Sequence, residues 1–257
     1  MQGQHAVVTG GGRGIGAVIA AALASQGAQV TVMGRTSSVL HDTASSLSEM
    51  HKTRLLPVVC DVTDAGSVVR AFGEAVRQFG PVQVLINNAG QADAGPFADI
   101  PLETWNRIIA VNMTGTFLCT QQALPAMLSI STGRILNIAS TAGLKGYAKT
   151  AAYTAAKHGV VGLTRALAAE TARTGVTINA ICPGYTEGTE MFTTTVGNVM
   201  RARGVTAEEA TALLARSSPR GTLITPHEVA HTVLWLCSPG ASAITGQAIA
   251  VAAGEVM

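Results

Sequence analysis

Charge is scarce in this chain: Asp, Glu, Lys and Arg make up 12% of its 257 residues, and the net charge is only +2. Lys and Arg are scattered and form no basic cluster, which argues against a nucleic-acid partner. No apolar stretch of about 18 residues occurs, the length a membrane-spanning helix needs, so no membrane partner is expected. The opening Met1-Gln2-Gly3-Gln4-His5 lacks the basic and long apolar regions of a signal peptide. The expected location is the cytoplasm. The four cysteines, Cys60, Cys119, Cys182 and Cys237, lie far apart and form no CxxC pair. They offer no metal site and read as free, buried thiols in a reducing compartment.

Apolar residues, at 47% of the total, are what the chain has in abundance. Such a composition buries a large core and argues against disorder. A surface so poor in charge is expected to be partly covered by other subunits. Short apolar runs are found at His5–Thr9, Gln29–Met33, Arg54–Cys60, Val82–Ile86, Arg134–Ala139, Val176–Ile181 and Ala248–Val251. They alternate with Ala- and Leu-rich stretches of helical length, such as Gly14–Gln26, Ser67–Phe79, Leu102–Leu128 and Ala151–Thr174. This rhythm predicts right-handed βαβ crossovers and a mostly parallel sheet with helices on both faces. The runs show little polar alternation, as strands covered on both faces require. No linker composition and no internal repeat interrupts them. The expected fold class is therefore α/β, a doubly wound, seven-stranded sheet in a single domain over 1–257. One stretch breaks the rhythm: Tyr185 to Pro219 is rich in Thr, Arg and Gly, with helical pieces that look short. A long interruption of this kind predicts a small substrate lid at about 185–219.

The first strand runs into Thr9-Gly10-Gly11-Gly12-Arg13-Gly14-Ile15-Gly16, and a helix follows at once. Glycines let a backbone approach phosphates, and a helix N-terminus presents free N–H groups to them. The spacing is G-x-x-x-G-x-G on Gly10, Gly14 and Gly16, and not the commoner G-x-G-x-x-G. A tight turn without a ligand is the bland alternative. NAD recognition usually places an acid at the end of the second strand to hold the ribose 2′-hydroxyl. No Asp or Glu occurs between Met1 and His41, and Arg35-Thr36 occupies that place. With Arg13 in the glycine loop, two guanidiniums could clamp a 2′-phosphate, which favours NADP(H) over NAD(H). Arg35 could instead stack on an adenine face as a solvated charge. Asp61, with Val62 after the third strand, could bond the adenine amino group or cap the helix beginning near Asp64.

Tyr153-Thr154-Ala155-Ala156-Lys157 sets a phenol and an ammonium one turn apart on one helix face. A nearby cation favours phenolate and moves the tyrosine toward neutrality, giving a group that can protonate an alkoxide or deprotonate an alcohol. Ser140, thirteen positions earlier at the end of the fifth strand, could bond the substrate oxygen. Tyr-x-x-x-Lys alone is weak; its position after Ser140, in a chain with the glycine loop, is what gives it weight.

Taken together these residues resemble the short-chain dehydrogenase/reductase family, over essentially the whole chain. Thr9-Gly10-x-x-x-Gly14-x-Gly16 is similar to its cofactor motif, and Asn87-Asn88-Ala89-Gly90 to its NNAG turn. Cys182-Pro183-Gly184 is similar to the turn at the nicotinamide end, and Gly246-Gln247 to the closing strand. Asn112, Ser140, Tyr153 and Lys157 fall where the family's catalytic tetrad lies. The resemblance implies that Tyr153 is the general acid in reduction and base in oxidation. Lys157 would lower its pKa and bind the nicotinamide ribose, Ser140 would position the carbonyl, and Asn112 would hold a relay water. It implies cofactor contacts from Gly10, Arg13, Gly14, Ile15, Gly16, Arg35, Thr36, Asp61, Val62, Asn88, Ala89, Gly90, Tyr153, Lys157, Pro183, Gly184 and Thr186. It also implies a Rossmann fold and a homotetramer. The segment Ile138–Gly162 looks like ketoreductases acting on acyl chains, including 3-oxoacyl and polyketide ketoreductases. Where the family has a threonine three or four residues beyond the Pro-Gly pair, this chain has Thr189 one place later, so a bulge at Gly188 is expected. The cofactor-contacting threonine is then either Thr186 or Thr189.

Three features invite lesser readings. Arg201, Arg203, Arg216 and Arg220 in the lid could attract the phosphates of coenzyme A or a carrier-linked pantetheine, or be solvated surface. His158 diverges from Lys157 around the helix and reads as structural. His227 and His231 have metal-compatible spacing but no third ligand nearby, so no metal is expected. The expected reaction is the NADP(H)-dependent interconversion of a ketone and a secondary alcohol, on acyl or cyclic carbonyl substrates. An NAD-dependent 3-hydroxyacyl-CoA or cyclic-alcohol dehydrogenase is the alternative, and a non-catalytic dinucleotide-binding protein the alternative of another class.

Overall fold

The computed structural model describes residues 1–256. Seven strands, β1 (His5–Thr9), β2 (Gln29–Gly34), β3 (Leu55–Val59), β4 (Val84–Asn87), β5 (Gly133–Ile138), β6 (Val176–Pro183) and β7 (Ala248–Val251), form one sheet. Their order is β3-β2-β1-β4-β5-β6-β7, and every pair is parallel. Parallel strands need crossovers, and the helices that provide them cover both faces. Along β1, Ala6 and Val8 point to one face and Val7 to the other. The first face packs under α1 (Gly14–Ser25), α2 (Ser37–His51) and α9 (Pro226–Cys237), through Ile19, Leu23, Leu40, Val233 and Leu236. The second packs under α3 (Ala65–Phe79), α5 (Gly115–Ser129) and α6 (Ala151–Thr171), through Phe72, Cys119, Met127 and Ala168. Each fully buried Ile or Leu contributes about 1.5–3 kcal/mol. All four cysteines are buried and unpaired. Pro57 is confined to the edge strand β3, where a missing N–H costs least.

The chain reverses its direction of winding between β1 and β4, so their carboxyl ends open a crevice. Asn88 ties the two halves together there. Its side-chain amide donates to the carbonyls of Thr9 (3.0 Å) and Gly10 (3.2 Å), while its backbone N–H donates to the Thr9 hydroxyl at 3.0 Å.

Two segments differ from the sequence expectation. The helix expected over Leu102–Leu128 is interrupted: α4 (Leu102–Ile109) passes through a wide π turn, Ala110–Thr114, into α5. Asn112 causes a local competition, because its side-chain amide takes the Ile108 carbonyl at 2.9 Å. Such turns are common at functional sites. The helices within 185–219 are also longer than expected, α7 (Glu190–Arg203) running 14 residues and α8 (Ala207–Ala215) nine. Thr193, Thr194 and Thr195 have poor helix propensity, yet their hydroxyls donate back to the carbonyls of Thr189, Glu190 and Met191. Gly204, with φ +65°, ends α7, and a Thr206–Glu209 capping box starts α8. No helix among the described residues is long and apolar enough to cross a membrane.

Candidate active site

The glycine loop closes the crevice from below. Gly10 and Gly14 adopt positive φ, +64° and +53°. A Cβ at Gly10 would lie 2.9 Å from the Asn88 amide nitrogen, so only glycine fits the loop against β4's end. The N-terminus of α1 carries no acidic side chain in its first turn and no side-chain cap, leaving its N–H groups for an anion. Above the loop sits the start of α7: Thr189 approaches the position of a Gly14 Cβ to 3.5 Å, and Arg13 pairs with Glu190 at 2.7 Å.

Arg13 is thus engaged by α7, whereas Arg35, exposed just beyond β2, makes no ion pair among the described residues. Next to it, Thr36 occupies the N-cap of α2 without a side-chain hydrogen bond. Asp61 does not cap α3. That role belongs to Asp64, whose carboxylate accepts from Gly66 N at 2.8 Å. Asp61 instead accepts from the backbone and hydroxyl of Thr63, at 2.9 and 2.7 Å. The backbone bond to Thr63, with help from the Arg35 charge, holds its carboxyl below the usual carboxylate range. Val62 is buried against Gly115.

The four residues expected to carry the chemistry converge where β4, β5 and β6 end. Lys157 is 4% exposed, and its ammonium donates to the Ile138 carbonyl at 2.8 Å. It stands 5.6 Å from the centre of the Tyr153 ring. Ser140 follows β5, and its hydroxyl accepts from Ala142 N at 3.1 Å. Asn112, held in the π turn, donates to the Gln91 carbonyl at 2.7 Å. Its Oδ1 is buried with no partner among the described residues. A Cβ at Gly90 would lie 2.8 Å from that oxygen and 3.6 Å from the Lys157 ammonium. A buried, unpaired acceptor beside an ammonium is a place for a bridging water. Ala89 N donates to the Thr9 hydroxyl at 3.0 Å, fixing the turn that carries Gly90.

The titration behaviour corrects one expectation. Tyr153 is not brought toward neutrality by Lys157: burial pushes its phenol up to about 12, against a hydrogen bond from Ser140 that lowers it. Burial also brings Lys157 down to about 8, with Cys182 opposing. The two groups share one desolvated corner, and Lys157 spends its hydrogen bond on Ile138.

The other residues expected in the site fall as follows. Pro183 is buried, and Gly184 abuts Ala252 and Glu255. Thr186 is buried and donates to the Gly184 carbonyl at 3.0 Å, bridging to Ile224. Gly188 takes φ +68°, and Thr189, which caps α7, is the threonine beside the glycine loop. His158 is exposed and bonds back to the Thr154 carbonyl at 2.9 Å. Among the lid arginines, Arg220 pairs with Glu228 at 2.7 Å, and Arg201 bonds Asn198, while Arg203 and Arg216 lie on the surface. His227 and His231 are exposed on α9. Tyr147 and Glu255, which no sequence motif singles out, meet at the edge of this site.

The geometry has close relatives. A family model described as short chain dehydrogenase matches residues 4–198. A provisionally named ketoacyl reductase of Streptomyces coelicolor is 41% identical over 97% of this chain and 95% of its own length. The D-beta-hydroxybutyrate dehydrogenase of Cupriavidus necator is 38% identical over 96% and 95%. A crystal structure of a point variant of actinorhodin polyketide ketoreductase with NADPH superposes with a TM-score of 0.95, at 40% identity, covering 98% of this chain and 97% of that one. The glycine cradle, the uncapped start of α1 and the corner around Tyr153 and Lys157 are thus those of an oxidoreductase, and the chain belongs to the short-chain dehydrogenase family.

Proposed function

We propose that this chain is an NADP(H)-dependent ketoreductase, interconverting a ketone and a secondary alcohol on an acyl or cyclic carbonyl substrate. The observation that carries the reading is the meeting of half-buried Tyr153, Ser140 and buried Lys157 at one corner near the glycine cradle. The likeness to actinorhodin polyketide ketoreductase with NADPH supports both the cofactor and the substrate class. Arg35, unpaired at the end of β2 where an NAD enzyme carries an acid, supports NADP(H) over NAD(H).

The cofactor's pyrophosphate would rest on Gly10–Gly16 and the start of α1, with Arg35 and Thr36 at the adenosine end, Asp61 and Val62 at the adenine, and Asn88–Gly90 along the middle. The nicotinamide end would lie by Pro183, Gly184 and either Thr186 or Thr189, and when bound it supplies or accepts the hydride. Tyr153 donates the proton to the carbonyl oxygen in reduction, and Ser140 holds that oxygen by its hydroxyl. Lys157 binds the ribose hydroxyls. Asn112 anchors a water that resupplies the proton through Lys157. The segment 185–219 acts as a lid of a single domain, and the enzyme works in the cytoplasm. Two separate apolar faces, Met113 and Phe117 on α5's side and Trp235 on α9, suit a homotetramer.

The second reading, an NAD-dependent dehydrogenase of a 3-hydroxy acid or its thioester, has the likeness to the Cupriavidus necator protein in its favour. Tyr153→Phe tests the chemistry. Turnover with NADPH should fall by about 10³-fold or more, while NADPH binding, followed by its fluorescence, persists. Turnover surviving the substitution would refute the mechanism. A kcat/KM for NADH about tenfold above that for NADPH would refute the cofactor reading.

A further inference from the structure

Beyond β7 the chain turns back over the site and buries a carboxylate. The side chain of Glu255 is only 2% exposed. Its Oε1 accepts from the Tyr147 hydroxyl, and the Lys145 ammonium lies 3.6 Å from the same oxygen. Lys145 also donates to the Glu255 backbone carbonyl at 3.1 Å and sits 4.9 Å from the centre of the Tyr147 ring. The other oxygen, Oε2, faces Gly184, 2.9 Å from where a Cβ there would stand.

These residues come from the carboxyl ends of three neighbouring strands. Lys145 and Tyr147 lie in the loop that begins with Ser140 after β5, Gly184 follows β6, and Glu255 follows β7. That is the rim of a doubly wound sheet where ligands bind. The cluster also abuts the reacting groups. Gly143, between Ser140 and Tyr147 in that loop, packs on the Lys157 carbonyl, 2.8 Å from where a Cβ there would stand, and Cys182, two residues before Gly184, is close enough to Tyr153 and Lys157 to influence both. Burial and the Glu255 charge together raise the phenols of Tyr147 and Tyr185, so the carboxylate's field is felt on this side of the cleft.

We propose that Glu255 is a specificity-determining residue that makes the cleft reject substrates with a free carboxylate near the carbonyl, by occupying Lys145 and by presenting a buried negative charge beside Gly184. A free 3-oxo acid would bring a second anion into a poorly solvated corner, whereas its ester or thioester is neutral there. Lys145, 42% exposed in its side chain, is the one cation in this cluster able to welcome such an anion, and it is already taken. The substrate class that follows is a neutral 3-oxoacyl ester, thioester or cyclic ketone. This inference rests on the ketoreductase reading.

The test compares acetoacetate with its neutral N-acetylcysteamine thioester, both with NADPH, and reads the ratio of their kcat/KM values. The intact chain should favour the thioester by about tenfold or more. In Glu255→Gln the ratio should move toward acetoacetate by about tenfold, because the buried charge is gone and Lys145 is released. Adding Lys145→Gln to that variant should reverse most of the gain. Lys145→Gln alone, at a half-exposed position that leaves Glu255 in place, should move the ratio further toward the thioester, so the idea is tested even if the buried substitution unfolds the chain. A ratio that stays put in Glu255→Gln, or in Lys145→Gln alone where the first does not fold, overturns the proposal. So does a double variant as tolerant of acetoacetate as Glu255→Gln. Reduction of neither compound, nor of a neutral cyclic ketone, by the intact chain with NADPH would overturn the ketoreductase reading itself, and this proposal with it.

Discussion

Lys157 should destabilise the protein it serves. The residue is 4% exposed, and its pKa is brought down from 10.5 to about 8 by burial. That displacement, at roughly 1.4 kcal/mol per pH unit, is a cost on the order of 3 kcal/mol at neutral pH. Lys157→Met keeps the length of the side chain and removes the charge. The variant also loses the hydrogen bond to the Ile138 carbonyl, worth about 1 kcal/mol. A net gain of about 2 kcal/mol remains, or a rise in Tm of roughly 4–8 °C. The pH dependence gives the sharper signature. Below pH about 8 the folded and unfolded chains both hold the proton, and the cost is fully present. Between about 8 and 10.5 the unfolded chain holds it while the folded chain sheds it, so the cost fades as pH rises. Cys60 and Cys182, at about 11, and Tyr153, at about 12, work in the opposite sense, because they release their protons first in the unfolded chain. Cys60 and Tyr153 are present in both proteins and cancel in the difference, while the loss of the Lys157 charge raises Cys182 further and acts only at the alkaline end. Urea unfolding of both cofactor-free proteins, followed by the fluorescence of Trp105 and Trp235, measures that difference directly. The advantage of Lys157→Met should shrink by about 2 kcal/mol between roughly pH 7 and pH 9.5. A wild-type protein more stable at neutral pH, or a difference independent of pH, would refute the reasoning.

Two further outcomes follow from the same geometry. Arg35→Ser should lower kcat/KM for NADPH by about 10–100-fold and leave NADH less affected, since a guanidinium bonded to a 2′-phosphate has no counterpart in NADH; steady-state kinetics with both cofactors decide it, and equal losses would contradict the assignment. Phe117→Glu places a charge on a side chain that is 46% exposed on α5, beside Met113 at 37%. If that face joins subunits, sedimentation velocity should show a smaller assembly, and an unchanged mass would remove the face from the tetramer proposal.

Much of the architecture is local in origin and therefore legible. His5–Thr9 is five residues covered on both faces, and strand and expectation share their bounds. β7 likewise runs over Ala248–Val251 as expected. Tyr153 and Lys157 stand one turn apart on α6, so their meeting follows from helix geometry alone. The π turn escapes such reading, because apolar periodicity continues through it. What breaks the ladder is one amide, that of Asn112, choosing the Ile108 carbonyl. The lid helix α7 hides behind three successive threonines whose propensity is poor until their hydroxyls find carbonyls one turn back.

What lies beyond reach is what depends on distant chain segments converging. The direction of the Tyr153 pKa follows from desolvation in the folded chain, and the i, i+4 lysine that suggests the opposite sign is itself desolvated. Arg13 and Glu190 are 177 positions apart, and the pair that joins the glycine loop to the lid has no signature in either segment. Tyr147 and Glu255 are separated by 108 positions and belong to no motif. A motif records the chemistry that a fold must keep in one place. Charge selection at the rim is set by whichever side chains the strand ends deliver there, so it has to be read from burial and contact. That is why the reaction can be inferred from Tyr153, Ser140 and Lys157, while the charge of the substrate turns on a glutamate near the far end of the chain.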